Sequence, residues 1–248
     1  MGPGIFFFFK VQKYNFICIF AHVMKKIYSK NSIKSIIFDL GGVIVDIDFN
    51  KAIEAFTRLG ARNFDQLFSH IQQVNLFDRM DRGEVSPAGF RDELRSIAGL
   101  TITDEQFDNA WHSMIMGVPH SRLQLLEDAR KNYNTYLLSN TNAIHMETFG
   151  QRLQEEYGVE GIKTFFDKSY LSYEVGMRKP ERRIFELVVK DNGLDVSETL
   201  FIDDTQQHIE SAAALGIKTY LFKPGEERLE DLFENGLLKG MERGMERG

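Results

Sequence analysis

The sequence has few of the features that stabilise secreted proteins or attract polyanions. It contains one cysteine, Cys18, so no disulfide can form within the chain. This usage is typical of a reducing compartment, and we expect the protein to be cytoplasmic. Basic residues do not dominate, because the net charge is -6. That balance argues against nucleic acid or an anionic membrane as the main partner.

Long apolar runs are also missing, even from the aromatic-rich start of the chain. Two short apolar pieces, 5–9 and 16–20, flank a polar middle that contains Lys10 and Lys13. A membrane-spanning helix needs about 20 mostly apolar residues, so a span is not predicted. The basic start and small-residue cleavage site of a signal peptide are absent as well. We interpret residues 1–31 as an extension outside the fold, within which Met24 is a natural start.

From residue 32 onward, short β-branched runs alternate with helix-like segments. This alternation is typical of an α/β fold, in which parallel strands are joined by helical crossovers. The predicted strands are 35–38, 135–138, 168–171, 200–202 and 219–222. The pattern predicts a core domain from 32–47 and 120–225. For 226–248 we predict a C-terminal helix and a polar tail.

The segment 48–119 shows no comparable strand and is predicted to be a helical insert after the first strand. Apolar residues recur at helical spacing from Ile53 onward. Ser86 and Pro87 indicate a helix N-cap followed by proline at the first helical position. Thr103 and Gln106 have the spacing of a capping box for the next helix.

Polar residues follow the predicted strands at the edge where parallel strands end together. Asp39 follows the first strand and is succeeded by Gly41 and Gly42, which allow a tight turn. A carboxylate in this position can attack phosphorus, although an isolated aspartate there also serves as an ordinary turn residue. Ser139 ends the second strand, where a hydroxyl and nearby amides can hold phosphoryl oxygens.

Two further motifs supply charge of both signs. Lys179 precedes Pro180 in the segment GMRKPE, where its ammonium can neutralise a phosphoryl group. Asp203 and Asp204 are adjacent after another strand, in FIDDT. Neighbouring carboxylates repel each other without a cation, and hard oxygen ligands suit Mg²⁺. Taken singly, each motif also has a structural interpretation as a surface lysine or a turn.

In this order, Asp, Ser, Lys and Asp-Asp resemble the four motifs of the haloacid dehalogenase-like hydrolase superfamily, over roughly residues 33–223. The segments DLGGVIVDIDFN, LSNTNAIH and YLSYEVGMRKPERRIF are similar to those of its bacterial sugar-phosphate phosphatases. The resemblance implies a Rossmann-like parallel sheet with helices on both faces and a small helical cap. It implies a phosphomonoesterase that forms an aspartyl phosphate with Mg²⁺. The implied roles are catalysis by Asp39 and Lys179, substrate binding by Gly42, Ser139 and Asn140, and metal binding by Asp39, the Gly41 carbonyl, Asp203 and Asp204.

The chain departs from the family pattern at Gly41. Most phosphatases of the family carry an aspartate there, which protonates the leaving group and then activates water. Proton transfer of this kind is typically worth about 10²–10⁴ in rate, and glycine cannot supply it. Sugar 1-phosphates have a good leaving group, so we expect the enzyme to favour them. Asp46 or Asp48 is a candidate substitute, and a hinge role for Asp46 is an equal alternative.

Other functions remain open at this level. A haloacid dehalogenase attacks carbon without a metal, which the Asp203-Asp204 pair disfavours. A sugar-phosphate mutase depends on the acid that Gly41 replaces. A phosphate-binding protein without turnover is a third alternative, because folds outlast functions. We expect a small phosphorylated substrate that the cap selects, through residues such as Arg79, Arg82 and Glu84. The sequence predicts no oligomeric state.

Overall fold

A computed structural model describes residues 33–64 and 75–239. Its strands are β1 (Ser35–Phe38), β2 (Asp46–Ile47), β3 (Ile115–Gly117), β4 (Asn134–Ser139), β5 (Lys168–Leu171), β6 (Thr199–Asp203), β7 (Lys218–Leu221), β8 (Phe233–Glu234) and β9 (Leu237–Leu238). Its α-helices are α1 (Phe49–Arg58), α2 (Leu76–Asp81), α3 (Pro87–Ala98), α4 (Asp104–His112), α5 (His120–Arg130), α6 (Ala143–Tyr157), α7 (Ser172–Val175), α8 (Arg182–Asn192) and α9 (Gln206–Ala213).

The centre of the molecule is a five-stranded parallel sheet in the order β5-β4-β1-β6-β7. Strand β1 is buried along its whole length because both faces of the sheet are covered. Ile36 and Phe38 point into one apolar cluster, whereas Ile37 points into the other. The predicted α/β sheet is therefore confirmed, and each of its five strands ends within one residue of the predicted boundary.

The insert forms a helical cap with its own apolar core. Four buried phenylalanines hold α1, α3 and α4 together, and they are Phe56, Phe64, Phe90 and Phe107. Ser86 accepts a hydrogen bond from the Gly89 amide, and Thr103 and Gln106 form the predicted capping box.

The expectation that 48–119 contains no strand was wrong. Strand β3 lies in that segment and pairs antiparallel with β2, where the chain leaves and re-enters the core. The ribbon is two to three residues long, with a register shift between Asp46 and Ile47. A strand this short has too few residues to show a period of two.

The predicted C-terminal helix was also wrong over the residues that the structure describes. A 3-10 turn, Leu229–Leu232, leads into the β8–β9 hairpin, which packs Phe233 against the main core. Asn235 and Gly236 form its turn with φ of 52° and 75°. Asn-Gly between apolar residues is the usual signature of such a hairpin, so the sequence contained the signal.

The proposed N-terminal extension and the last residues of the polar tail lie outside the described residues. Within 33–64 and 75–239, no helix is both long enough and apolar enough to cross a bilayer.

Candidate active site

A cavity of about 350 Å³ opens at the carboxyl end of the sheet, between the core and the cap. Six of the residues singled out from the sequence line it: Asp39, Gly41, Gly42, Ser139, Asn140 and Asp204. The remaining two, Lys179 and Asp203, lie behind Asp39 and contact it directly or through each other. The structure therefore brings every predicted site residue to one edge of the sheet, as expected for an open α/β fold.

Lys179 joins two carboxylates in the floor of the cavity. Its fully buried Nζ lies 2.7 Å from Asp39 Oδ1 and 2.7 Å from Asp203 Oδ2. Burial alone would lower the pKa of Lys179, but the two carboxylates outweigh it and raise that pKa. Burial raises the pKa of Asp39 well above its usual value, against the opposing effect of Lys179. For Asp203, Lys179 and His208 outweigh burial and lower the pKa.

Asn140 holds Lys179 in place through its side chain. The Lys179 amide donates to Asn140 Oδ1 at 2.8 Å, and Asn140 Nδ2 donates to the Lys179 carbonyl at 2.8 Å. Both polar atoms of the Asn140 amide are therefore engaged by protein. Its predicted contact with substrate is left to the backbone of the loop 139–142.

Ser172 fixes that same loop from behind. Its hydroxyl accepts from the Thr141 amide at 3.0 Å and donates to the Thr141 carbonyl at 2.9 Å. Asn142 caps α6 by accepting from the His145 amide at 3.1 Å. The loop after β4 is thus held rigidly, with Ser139, Asn140, Thr141 and Asn142 all facing the cavity.

The second aspartate of the pair packs on a glycine. Gly42 has φ of 77°, and a Cβ built on it would lie 2.1 Å from Asp204 Oδ2. Only glycine fits this position, because any side chain would collide with the carboxylate. Burial, and then the neighbouring Asp203, raise the pKa of Asp204.

His208 is a site residue that the sequence reasoning missed. Its Nδ1 lies 2.9 Å from Asp203 Oδ1, and the Thr205 amide donates to the same oxygen at 2.8 Å. His208 is in the first turn of α9, which begins three residues after Asp203. A histidine one helical turn beyond the Asp-Asp pair was the available signal.

The charges of the floor fit a divalent cation. Asp39, Asp203 and Asp204 carry three negative charges when ionised, and Lys179 supplies one positive charge against them. The ligand atoms of Asp39, Asp203 and His208 lie within 4.8 Å of one another. Burying uncompensated carboxylates is costly, and hard oxygen donors are those that Mg²⁺ prefers.

The opposite side of the cavity is formed by three stacked rings, which we call the aromatic wall: Phe77, Trp111 and His145. Trp111 lies 5.4 Å from Phe77 and 5.3 Å from His145 between ring centroids, with the His145 ring tilted by only 11°. Trp111 Nε1 and His145 Nδ1 are buried and have no hydrogen-bond partner among the described residues. Burial lowers the pKa of His145 to about 3, so its imidazole is neutral.

Within the part of the cap that the structure describes, Asp81 at the end of α2 is the acidic residue that lines the cavity. The sequence reasoning had pointed instead to Arg79, Arg82 and Glu84, none of which lines it. Arg79 pairs with Glu93, and Arg82 pairs with Glu181 of the core at 2.7 Å.

The two candidate substitutes for the missing acid are engaged elsewhere. Asp46 accepts from Arg122 Nη1 at 2.8 Å, and Asp48 caps α1 by accepting from the Asn50 amide at 3.0 Å. Neither lines the cavity. Asp46 lies in the β2–β3 ribbon and Asp48 is the N-cap of α1.

The chain is similar to known proteins over most of its length. A model of the haloacid dehalogenase-like hydrolases matches residues 33–216. The chain belongs to this family. It is 37% identical to a D-ribitol-5-phosphate phosphatase of Bacteroides thetaiotaomicron over 202 residues, which cover 81% of this chain and 97% of the relative.

Solved structures agree with this assignment. A family enzyme from Bacteroides thetaiotaomicron, crystallised with magnesium and inorganic phosphate, is 39% identical and superposes with a TM-score of 0.74. The match covers 82% of this hydrolase and 100% of that chain. A hydrolase of the family from Porphyromonas gingivalis is 30% identical, with a TM-score of 0.71 over 79% of this chain and 93% of its own.

Proposed function

We propose that this hydrolase is a magnesium-dependent phosphomonoesterase acting on small sugar or sugar-alcohol phosphates. The observation that carries the proposal is the Asp39–Lys179–Asp203 bridge at the floor of the cavity. Similarity to a D-ribitol-5-phosphate phosphatase, over 97% of that relative, supports the same activity and substrate class. The reaction hydrolyses the phosphate ester bond through two successive displacements at phosphorus.

Asp39 is the proposed nucleophile. Lys179 Nζ contacts Asp39 Oδ1, so it holds this carboxylate in one orientation and leaves Oδ2 for attack on phosphorus. The Ser139 hydroxyl and the backbone of Asn140 and Asn142 are the proposed groups that bind the phosphoryl oxygens. The Thr141 amide donates to Ser172 and the Gly42 amide donates to the Val45 carbonyl, so Gly42 contributes close approach of the backbone. Water then attacks phosphorus of the aspartyl phosphate, which returns Asp39 as a carboxylate and releases inorganic phosphate.

Mg²⁺ is the proposed cofactor, held by Asp39, the Gly41 carbonyl, Asp203 and Asp204. Both oxygens of Asp203 already contact protein groups, whereas Asp204 lines the cavity itself. When bound, the ion supplies positive charge that stabilises the transferring phosphoryl group. Asp203 therefore also serves to orient Lys179 and His208.

The aromatic wall and the size of the cavity support a small substrate. Phe77, Trp111 and His145 line the cavity with rings that can pack against the C–H surface of a sugar chain. Trp111 Nε1 and His145 Nδ1 are buried behind that surface, so the wall contributes shape and apolar contact. A cavity of about 350 Å³ is at the small end of ligand pockets, which suits a sugar of few carbons.

Release of inorganic phosphate from a panel of sugar and sugar-alcohol phosphates tests the proposal. We expect turnover with Mg²⁺ and loss of turnover when EDTA removes the metal. Phosphate binding without release from any ester would instead indicate a non-catalytic member of the family. Halide release from a 2-haloacid without metal would indicate a dehalogenase.

A further inference from the structure

The cavity presents a chemical problem at the leaving group. When the bond from phosphorus to the ester oxygen breaks, the sugar alcohol departs as a primary alkoxide. This alkoxide is a strong base and leaves slowly unless it receives a proton. Gly41 has no group to donate that proton, and Asp46 and Asp48 are bonded away from the cavity. Among the described residues that line the cavity, the carboxyl groups are those of Asp39, Asp81 and Asp204. Two of these belong to the nucleophile and the proposed metal site, which leaves Asp81.

Asp81 lines the same cavity as the loop 139–142, where we place the phosphoryl oxygens. Asn142 of that loop, which caps α6 through Oδ1, acts on the Asp81 carboxyl group and lowers its pKa. The carboxyl group that the cap brings to the cavity is therefore near the phosphoryl-binding loop. An ester oxygen leaving toward the cap moves into this region.

We propose that Asp81 is the proton donor and acceptor of the reaction, in the role that Gly41 cannot fill. The inference rests on the proposed phosphatase function. In the first displacement Asp39 forms a bond to phosphorus, and the bond from phosphorus to the ester oxygen breaks. That oxygen keeps the electron pair and takes the Asp81 proton, so the product leaves as a neutral alcohol.

The second displacement restores the proton. The Asp81 carboxylate removes a proton from water as the water oxygen bonds to phosphorus. The bond from phosphorus to Asp39 breaks, and its electron pair returns to the Asp39 carboxylate. Asp81 is then protonated for the next cycle, and no reactant besides water is needed.

The surroundings of Asp81 suit a group that gains and loses a proton near neutrality. Burial raises its pKa to about 6, although the Arg178 guanidinium opposes this from 3.7 Å. Asp78 raises the pKa further, while Arg82 and the Asn142 amide lower it. Arg178 is shared, since it also pairs with Asp78. A carboxyl group with a pKa near 6 can serve both as an acid and as a base at physiological pH.

Two leaving groups separate proton donation from a structural role. The measured quantity is kcat/KM, because it covers the steps through the first departure of the leaving group. For Asp81→Asn we expect a loss of about 10²-fold or more on a sugar-alcohol phosphate. On p-nitrophenyl phosphate, whose phenolate departs without a proton, the loss should be at least tenfold smaller, in line with the range for general acids.

Asp78→Asn is the matched control. Asp78 is on the same helix and pairs with the same Arg178, but it does not line the cavity. If Asp81 only anchors the cap through Arg178, both variants will lose activity alike and on both substrates alike. That result would overturn the proposal, provided that the melting temperatures show both variants folded.

The pH dependence gives a second readout. Asp81 is protonated below about pH 6 and ionised above it, so its donation weakens as pH rises. We take the ratio of kcat/KM for the alkyl phosphate to that for the aryl phosphate, in which the ionisation of the phosphate and the metal site largely cancel. The ratio should fall through about pH 6 in the wild type and be flat in Asp81→Asn. A ratio with the same profile in both would contradict the proposal.

Failure of the broader function is distinguishable. A wild-type protein that releases no phosphate from either substrate with Mg²⁺ contradicts the phosphatase itself. A wild type that turns over, with an Asp81→Asn variant of equal kcat/KM on the alkyl phosphate, contradicts the role of Asp81 alone.

Discussion

The two sides of the cavity differ in how completely their polar atoms are paired. On the floor, Lys179 Nζ lies 2.7 Å from one oxygen of Asp39 and 2.7 Å from one oxygen of Asp203. On the aromatic wall, Trp111 and His145 keep buried nitrogens without partners among the described residues. Paired charges fix the geometry of the reacting groups before the substrate arrives, whereas the stacked rings offer apolar surface that limits the shape of the ligand. We infer that the floor carries the displacement at phosphorus, that Asp81 of the cap transfers the proton, and that the wall limits the shape of the ester.

The largest effect should come from the nucleophile on the floor. Asp39→Asn keeps the shape of the side chain but removes the anion that attacks phosphorus, so turnover should fall below detection. The fold should be retained, because the buried Lys179 ammonium keeps Asp203 as its partner at 2.7 Å. Phosphate release measures turnover, and near-ultraviolet circular dichroism measures whether the fold is retained. Substantial activity in a folded variant would remove Asp39 from its role.

Lys179→Met tests whether the floor is also a structural element. Removing one partner of a buried ion pair leaves the other charges uncompensated, which typically costs about 3–5 kcal/mol. We expect a loss of that size in the free energy of unfolding, measured with urea in metal-free buffer. Turnover should be lost as well.

An exposed ion pair provides the comparison for Lys179. Lys163 lies 2.7 Å from Glu174 with about half of its side chain exposed. Exposed pairs contribute about 0–1 kcal/mol, so Lys163→Met should change the free energy of unfolding by less than about 1 kcal/mol. Equal losses of unfolding free energy in Lys179→Met and Lys163→Met would mean that the buried pairs of the floor stabilise the fold no more than an exposed pair does.

The sheet and the floor could be predicted because their signals are local. β1 is a short run of buried apolar residues, and Asp39 follows it directly. The ends of parallel strands necessarily meet at one edge, so four separate motifs specify one site. Lys179 does not end a strand, since the helix α7 lies between it and β5, and its place beside Asp39 was predicted from the resemblance to the four family motifs.

Asp81 could not be found in this way, because its position depends on how the cap docks. In sequence it is separated from Asn142 by half of the cap and by α5 and β4 of the core, and α2 itself is six residues long. The same reasoning misdirected attention to Arg79 and Arg82, which look like ligand-binding charges but are neutralised by Glu93 and Glu181. Ion pairs between distant segments leave no pattern in the sequence.

A smaller effect is expected on the aromatic wall. Trp111→Phe removes the indole N–H and keeps a ring for stacking on His145. The indole N–H is buried behind the cavity surface, so KM for a sugar-alcohol phosphate should change by less than about twofold, and the loss of an unpaired buried donor should not lower the melting temperature.

Phenyl phosphate is the control substrate for Trp111→Phe, because it has no sugar hydroxyl group. Its KM should also be unchanged in the variant. A rise in KM for the sugar-alcohol phosphate alone would mean that the indole N–H does bind a substrate hydroxyl group.

The smallest effect should come from the acids beside the site that do not face it. Asparagine caps helices as well as aspartate, so Asp48→Asn should leave α1 and the rate unchanged within error. Steady-state kinetics and the melting temperature measure this. A steep loss of rate with the fold retained would assign the proton transfer to Asp48 in place of Asp81.

The central claim is that the floor forms a covalent bond to the phosphoryl group through Asp39. Acid quenching of the enzyme during turnover with Mg²⁺ and a sugar-alcohol phosphate, followed by peptide mass spectrometry, tests it most directly. We expect the mass of one phosphoryl group on the peptide that contains Asp39, and no such mass in Asp39→Asn. An unmodified Asp39 peptide from rapidly quenched, active enzyme, or a phosphoryl group on another residue, would contradict the account.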